Sequence, residues 1–134
     1  MADFAQFRIV SGDSNDLPTD KPVILQNGTG ETSHSRHQVD LDNLDPNRGA
    51  VLMFQVSGTP GSHLRIVRQQ GGHEQELIAI DLDGTFTQPR SWHEIIQSSH
   101  LSPTQHLVMR ASATPVGGTV TVSDLVLLYH AHTA

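Results

Sequence analysis

The stretch from Ala50 to Leu82, AVLMFQVSGTPGSHLRIVRQQGGHEQELIAIDL, limits what this chain can fold into more than any other. Leu52, Phe54 and Val56 alternate with Val51, Met53 and Gln55; Leu64 and Ile66 alternate with Arg65 and Val67. Ile78, Ile80 and Leu82 then alternate with Leu77, Ala79 and Asp81. Side chains on an extended chain point to opposite faces in turn, so apolar residues at every second position predict strands with one face in a core. Between the runs stand Ser57-Gly58-Thr59-Pro60-Gly61 and Gln70-Gly71-Gly72, residues suited to tight turns. Three alternating runs joined this way predict an antiparallel meander.

The same pattern recurs elsewhere. Residues 4–10 and 22–26 read as short strands, separated by a polar loop over 11–22 that carries two prolines and three aspartates. Residues 29–35 are small and polar and read as a loop, and Val39 and Leu41 share a face of the next strand. Residues 42–49, DNLDPNRG, are turn chemistry throughout. Ser91 and Glu94 have capping-box spacing, which predicts one helical turn near 91–97 with Trp92, Ile95 and Ile96 on one side. Residues 105–112 read as a strand, as do residues 119–130. In the last strand Leu125 to Tyr129 is apolar on both sides, which places that strand centrally. Eight or nine short strands and one helical turn predict a single all-β domain over 1–134, an antiparallel two-sheet β-sandwich.

Composition narrows function by exclusion. There is no cysteine, which removes disulfides, thiolate metal sites and cysteine nucleophiles. The eight basic residues are scattered and the net charge is −6, so neither nucleic acid nor a membrane surface is an expected partner. The start, MADFAQFRIV, lacks a basic segment followed by an apolar block, which fits a cytoplasmic protein or one exported without a visible leader. No Gly-x-Ser-x-Gly occurs, and no enzymatic activity is expected. His34-x-x-His37 and His130-x-His132 each lack an obvious third metal ligand.

The run AVLMFQV, then HLRIVR, SWHEII, a Leu-Ser-Pro turn, QHLVMRA and GTVTVSDLVLLY resembles jelly-roll carbohydrate-binding modules of the galactose-binding-like type. The resemblance covers residues 50–130. It implies a jelly-roll sandwich, a glycan as partner, and no catalytic group. Related jelly rolls hold a structural calcium, and Asp40, Asp42 and Asp45 supply the oxygen ligands that calcium takes. No other cofactor is implied.

Gln55, Arg65, Asp81 and Arg110 sit opposite the apolar face of their strands. If those strands adjoin, they form a polar surface with planar hydrogen-bonding groups, as sugar-binding faces have. Trp92 either stacks a sugar or plugs the core, and His93 beside it faces outward. With one Trp, one Tyr and four Phe in the chain, the mechanism expected is hydrogen bonding from a preformed face. The alternative expectation is a self-assembling homo-oligomer. In it, apolar side chains on both faces of the strands at Val51, Met53 and Leu125 to Tyr129 are buried between copies.

Overall fold

Strand pairing in the computed structural model follows one rule. The strands are β1 (Asp3–Ile9), β2 (Val23–Gln26), β3 (Ser33–Asp40), β4 (Ala50–Gly58), β5 (Ser62–Gln70), β6 (His73–Asp81), β7 (Arg90–Ile96), β8 (Thr104–Ala113) and β9 (Thr119–His132). The structure describes residues 3–9, 23–26, 33–113 and 118–132; the 11–22 loop expected from the sequence lies outside them. β5 pairs with β6, β4 with β7, β3 with β8 and β2 with β9, every pair antiparallel. The chain is thus one long hairpin, bent at residues 71–72 and rolled into two layers. Those layers run β2-β9-β4-β7 and β3-β8-β5-β6, with β1 extending the first beside the far half of β9. This is a jelly-roll sandwich, the fold class the sequence implied.

The hairpin tip needs glycine. Gly71 and Gly72 both have positive φ, +58° and +83°, the requirement of a two-residue turn whose twist matches the strands. The alternating apolar residues then fill the space between the layers. Leu52, Phe54 and Val56 from one sheet face Leu64, Ile66, Ile80 and Met109 from the other, all buried. Each such side chain contributes about 1.5–3 kcal/mol by leaving water. β9 is central as expected, with β4 along one side and β1 and β2 sharing the other.

Residues 33–35, expected in a loop, already belong to β3 and pair with Ala111 to Met109, and two further expectations need correction. The stretch from Ala50 to Leu82 is not one meander: β4 lies in the first sheet, while β5 and β6 lie in the second. The 57–61 turn carries the chain across the sandwich. Thr59 N–H donates to the Thr119 carbonyl (2.9 Å), Gly61 N–H to Leu82 (2.8 Å) and Leu82 N–H to Ser62 (2.9 Å). A Cβ on Gly58 would stand 2.6 Å from Leu82 Cδ1 and 3.0 Å from the Thr119 oxygen, so a larger residue at this crossing would require the Leu82 side chain to move. Period-two patterning fixes which face is buried but not which sheet a strand joins.

The second correction concerns 91–97, which is strand β7 and not a helical turn. Ala50 to Val56 pair with Ile96 to Arg90 in unbroken register, which gives the free side of β4 its ladder partners. In this extended form Trp92 and Ile96 turn inward and Ile95 turns outward, so the three no longer share a side. Two 3-10 turns bracket the strand instead, at Gly84–Thr87 and Ser98–His100. Asp83 caps the first: its carboxylate accepts from the backbone N–H (2.9 Å) and the hydroxyl of Thr85, and these bonds lower its pKa.

Candidate functional site

The two outer faces differ in whether their polar groups are already partnered. On the β3-β8-β5-β6 sheet, Arg65 and Arg110 are direct cross-strand neighbours. Arg65 Nε donates to Glu76 (2.6 Å), and Arg110 grips Glu74 with both terminal nitrogens (2.6 and 3.1 Å). Gln69 also donates to Glu74 (2.7 Å). By register, Glu74 lies two rows from Arg110, so their bridge crosses the row that holds Val67 and Val108. That explains why both valines, on outward positions, are buried. The bonds from Arg110 and Gln69 push the Glu74 carboxyl down to about 2, and the Glu74 bond raises Arg110. His63 Nδ1 and Asp81 lie 2.6 Å apart. The middle of this face is closed over by its own ion pairs; a depression of about 360 Å³ remains at the hairpin tip, where Glu74, already bonded to Arg110 and Gln69, lines it with Gly71, Gly72, His73 and His106.

Among the described residues, the outer face of the other sheet is open. Reading across β7, β4 and β9, its rows are Ile95–Val51–Leu128, His93–Met53–Val126 and Ser91–Gln55–Ser123. Ile95 is 75% exposed and Met53 38%. A depression of about 340 Å³ is lined by Met53, Phe54, Gln55, Ser91, Trp92, His93, Asp124 and Val126. A second, of about 350 Å³, continues along the same face over Val51, Ile95, Leu128 and His130. In the first, Gln55 Nε2 donates to Ser91 Oγ at 2.6 Å, which fixes the amide across the β4–β7 pair.

A bulge supplies the carboxylate. Met53 pairs with Val126 but Gln55 pairs with Ser123, so β9 has one residue more than β4 at this point. Asp124 holds φ = +53° there. Bulges bend a strand and re-aim a side chain; here Ser123 and Asp124 are consecutive residues outside the core, and Leu125 returns inside.

The structure therefore divides the expected sugar-binding residues. Gln55, Trp92 and His93 line one depression. Arg65, Asp81 and Arg110 stand on the opposite sheet, bonded to Glu76, His63 and Glu74. Trp92 packs toward the core, its ring 6.4 Å from that of Phe86, with its indole nitrogen buried and without a hydrogen-bond partner. Ser91 and Asp124 complete the site. The signal for Asp124 is in the last strand, where inward positions change from 120 and 122 to 125 and 127, so one residue must be extra.

The loop expected to hold calcium is built into the end of β9. Tyr129 Oη donates to the Asp42 carbonyl (3.1 Å), Asp45 N–H to His130 (2.9 Å), and His132 N–H to Asn43 (3.0 Å). The Asp45 carboxylate accepts from Asn47 N–H (2.9 Å), and Asp40 accepts from Gln38 (3.3 Å). Among the described residues, no three His, Asp or Glu side chains converge as a metal site would require, so Asp40, Asp42 and Asp45 are not brought together.

No protein-family model and no curated protein matches the sequence. Among solved structures, the chain is similar to the carbohydrate-binding module TmCBM61, solved in complex with β-1,4-galactotriose. The TM-score is 0.53 at 14% identity, and the match covers 96% of this chain and 82% of that one. The fold likeness read over residues 50–130 thus extends through nearly the whole chain.

Proposed function

We propose that this protein is a non-catalytic carbohydrate-binding module whose ligand lies on the open face of the β4-β7-β9 sheet. The observation that carries the reading is the grouping of Gln55, Ser91, His93 and Asp124 around Met53 and Val126. A pyranose presents hydroxyls at its rim and C–H groups on its faces. The amide, hydroxyl, imidazole and carboxylate offer donors and acceptors to the rim, and Met53 with Val126 offers the apolar floor. The Gln55–Ser91 bond holds the amide before the ligand arrives, which lowers the ordering cost of binding. Similarity of fold to a module solved with a galactotriose supports this reading. So does the presence of a single carboxylate among the described residues lining the depression, since glycoside hydrolysis ordinarily uses two.

A glycan array followed by calorimetry on the strongest ligand tests the proposal. Gln55→Ala and His93→Ala each weaken binding by about tenfold, the effect of losing one good hydrogen bond of about 1.4 kcal/mol. Arg65→Ala and Arg110→Ala leave affinity unchanged. An array silent for the wild type, or affinity lost only with the two arginine variants, would refute it.

One observation favours self-association as a second reading. The Ile95–Val51–Leu128 row forms an apolar strip beside the site, with Ile95 exposed and Val51 and Leu128 half-buried, and apolar patches on stable proteins can mark contact surfaces. Light scattering tests this: a mass above 14.6 kDa that Ile95→Lys returns to monomer supports it, and a strict wild-type monomer ends it.

A further inference from the structure

We infer that Asp124 makes the depression selective by charge, so that it admits neutral and amine-bearing sugars and rejects those carrying carboxylate or sulfate. The inference rests on the sheet-face site proposed above and names its ligand class. Among the described residues, Asp124 is the one carboxylate lining that depression, and no arginine or lysine lines it. The nearest cation in sequence on β7, Arg90, is held away by its bond to Thr85 Oγ1 (2.6 Å) and its position 5.1 Å over the Phe86 ring. The arginines that would recognise a uronate, Arg65 and Arg110, are on the opposite sheet and committed to Glu76 and Glu74. His93 is the other titratable group lining the depression among the described residues.

The bulge makes this carboxylate a built feature. It inserts one residue into β9 and holds that residue at positive φ, a conformation that costs most L-residues energy but that Asp and Asn tolerate. Without the extra residue, β9 would pass Gln55 with ordinary alternation and present no carboxylate there. An anionic sugar in the depression would bring a second negative charge to within a few ångströms of the first, with no counter-charge among the described lining residues to relieve it. At such separations the repulsion weakens binding by at least about fivefold, and more where water is partly excluded.

The test uses a matched set of immobilised galactose, galactosamine and galacturonic acid at about pH 7, where an amine of α-amino type (about 7.7–8.0) is mostly protonated. Wild type is expected to bind galactose at least about fivefold better than galacturonic acid, and galactosamine at least as well as galactose. Asp124→Asn keeps the backbone conformation, removes the charge, and brings the three ligands to within about twofold of one another. Raising salt from about 0.01 M to about 1 M, which shortens the screening length from about 30 Å to about 3 Å, narrows the wild-type preference but not that of the variant. Equal wild-type binding of galactose and galacturonic acid, or a preference unchanged in Asp124→Asn, overturns the inference while leaving the site intact. Absence of binding to all three and to the wider array overturns both.

Discussion

Replacing Gly49 with alanine tests the pairing of β4 with β7, on which the site is built. A Cβ at this position would lie 2.6 Å from the carbonyl oxygen of Ile96, where ordinary contact begins near 3.4 Å. The oxygen is backbone, so no side-chain rotation relieves the clash; the strands must part by about 0.8 Å where Ala50 meets Ile96. Overpacking of this kind costs about 1–3 kcal/mol. The alanine also stiffens the unfolded chain, which offsets about 0.4–1 kcal/mol. The expected net loss is about 1–2 kcal/mol, or a fall in Tm of about 3–8 °C for a domain of this size. Urea unfolding followed through Trp92, the single tryptophan, reads it from within β7 itself. Gly84→Ala is the control, because a Cβ there meets nothing within 4 Å. A Gly49→Ala variant as stable as Gly84→Ala would mean that 91–97 does not lie along β4, and the face carrying Ser91 and His93 would not exist as described.

The core and the ion-paired face give further tests. Leu52→Ala removes a fully buried side chain and lowers stability by about 2–5 kcal/mol, whereas Met53→Ala, one residue on and facing out, stays within about 0.5 kcal/mol; equal losses would refute the inward–outward assignment of β4. Because Glu74 is held at about 2 by Arg110 and Gln69, its stabilising effect is present above its usual 4.5 and is lost as pH falls from about 4.5 to about 2. The urea midpoint of Glu74→Gln should therefore fall less across that window than that of the wild type, and identical slopes would show the pair to be absent in solution.

How much of this was legible in the sequence depended on how local the signal was. Alternation at Leu52, Phe54 and Val56 and at Leu64 and Ile66 identified core faces because side-chain direction is a property of the strand alone. The Gly71-Gly72 turn was readable for the same reason. The sheet joined by each strand was not, because the 57–61 turn crosses the sandwich using residues that would equally serve a hairpin. At residues 91–97 the local signal points the wrong way: Ser91 and Glu94 have cap spacing, while the deciding force, the unpaired side of β4, lies about forty residues earlier. The site was half legible. Gln55 and His93 were identified as outward polar residues, but their separation from Arg65, Asp81 and Arg110 depends on the layer assignment. Asp124 required recognising a phase change within β9.

A backbone amide NMR titration with the neutral glycan that scores highest on the array tests the central claim most directly. Shift changes should concentrate at Met53, Gln55, Ser91, His93 and Asp124. Changes centred instead on Arg65, Glu74 and Arg110 would place the ligand on the opposite sheet and contradict the account.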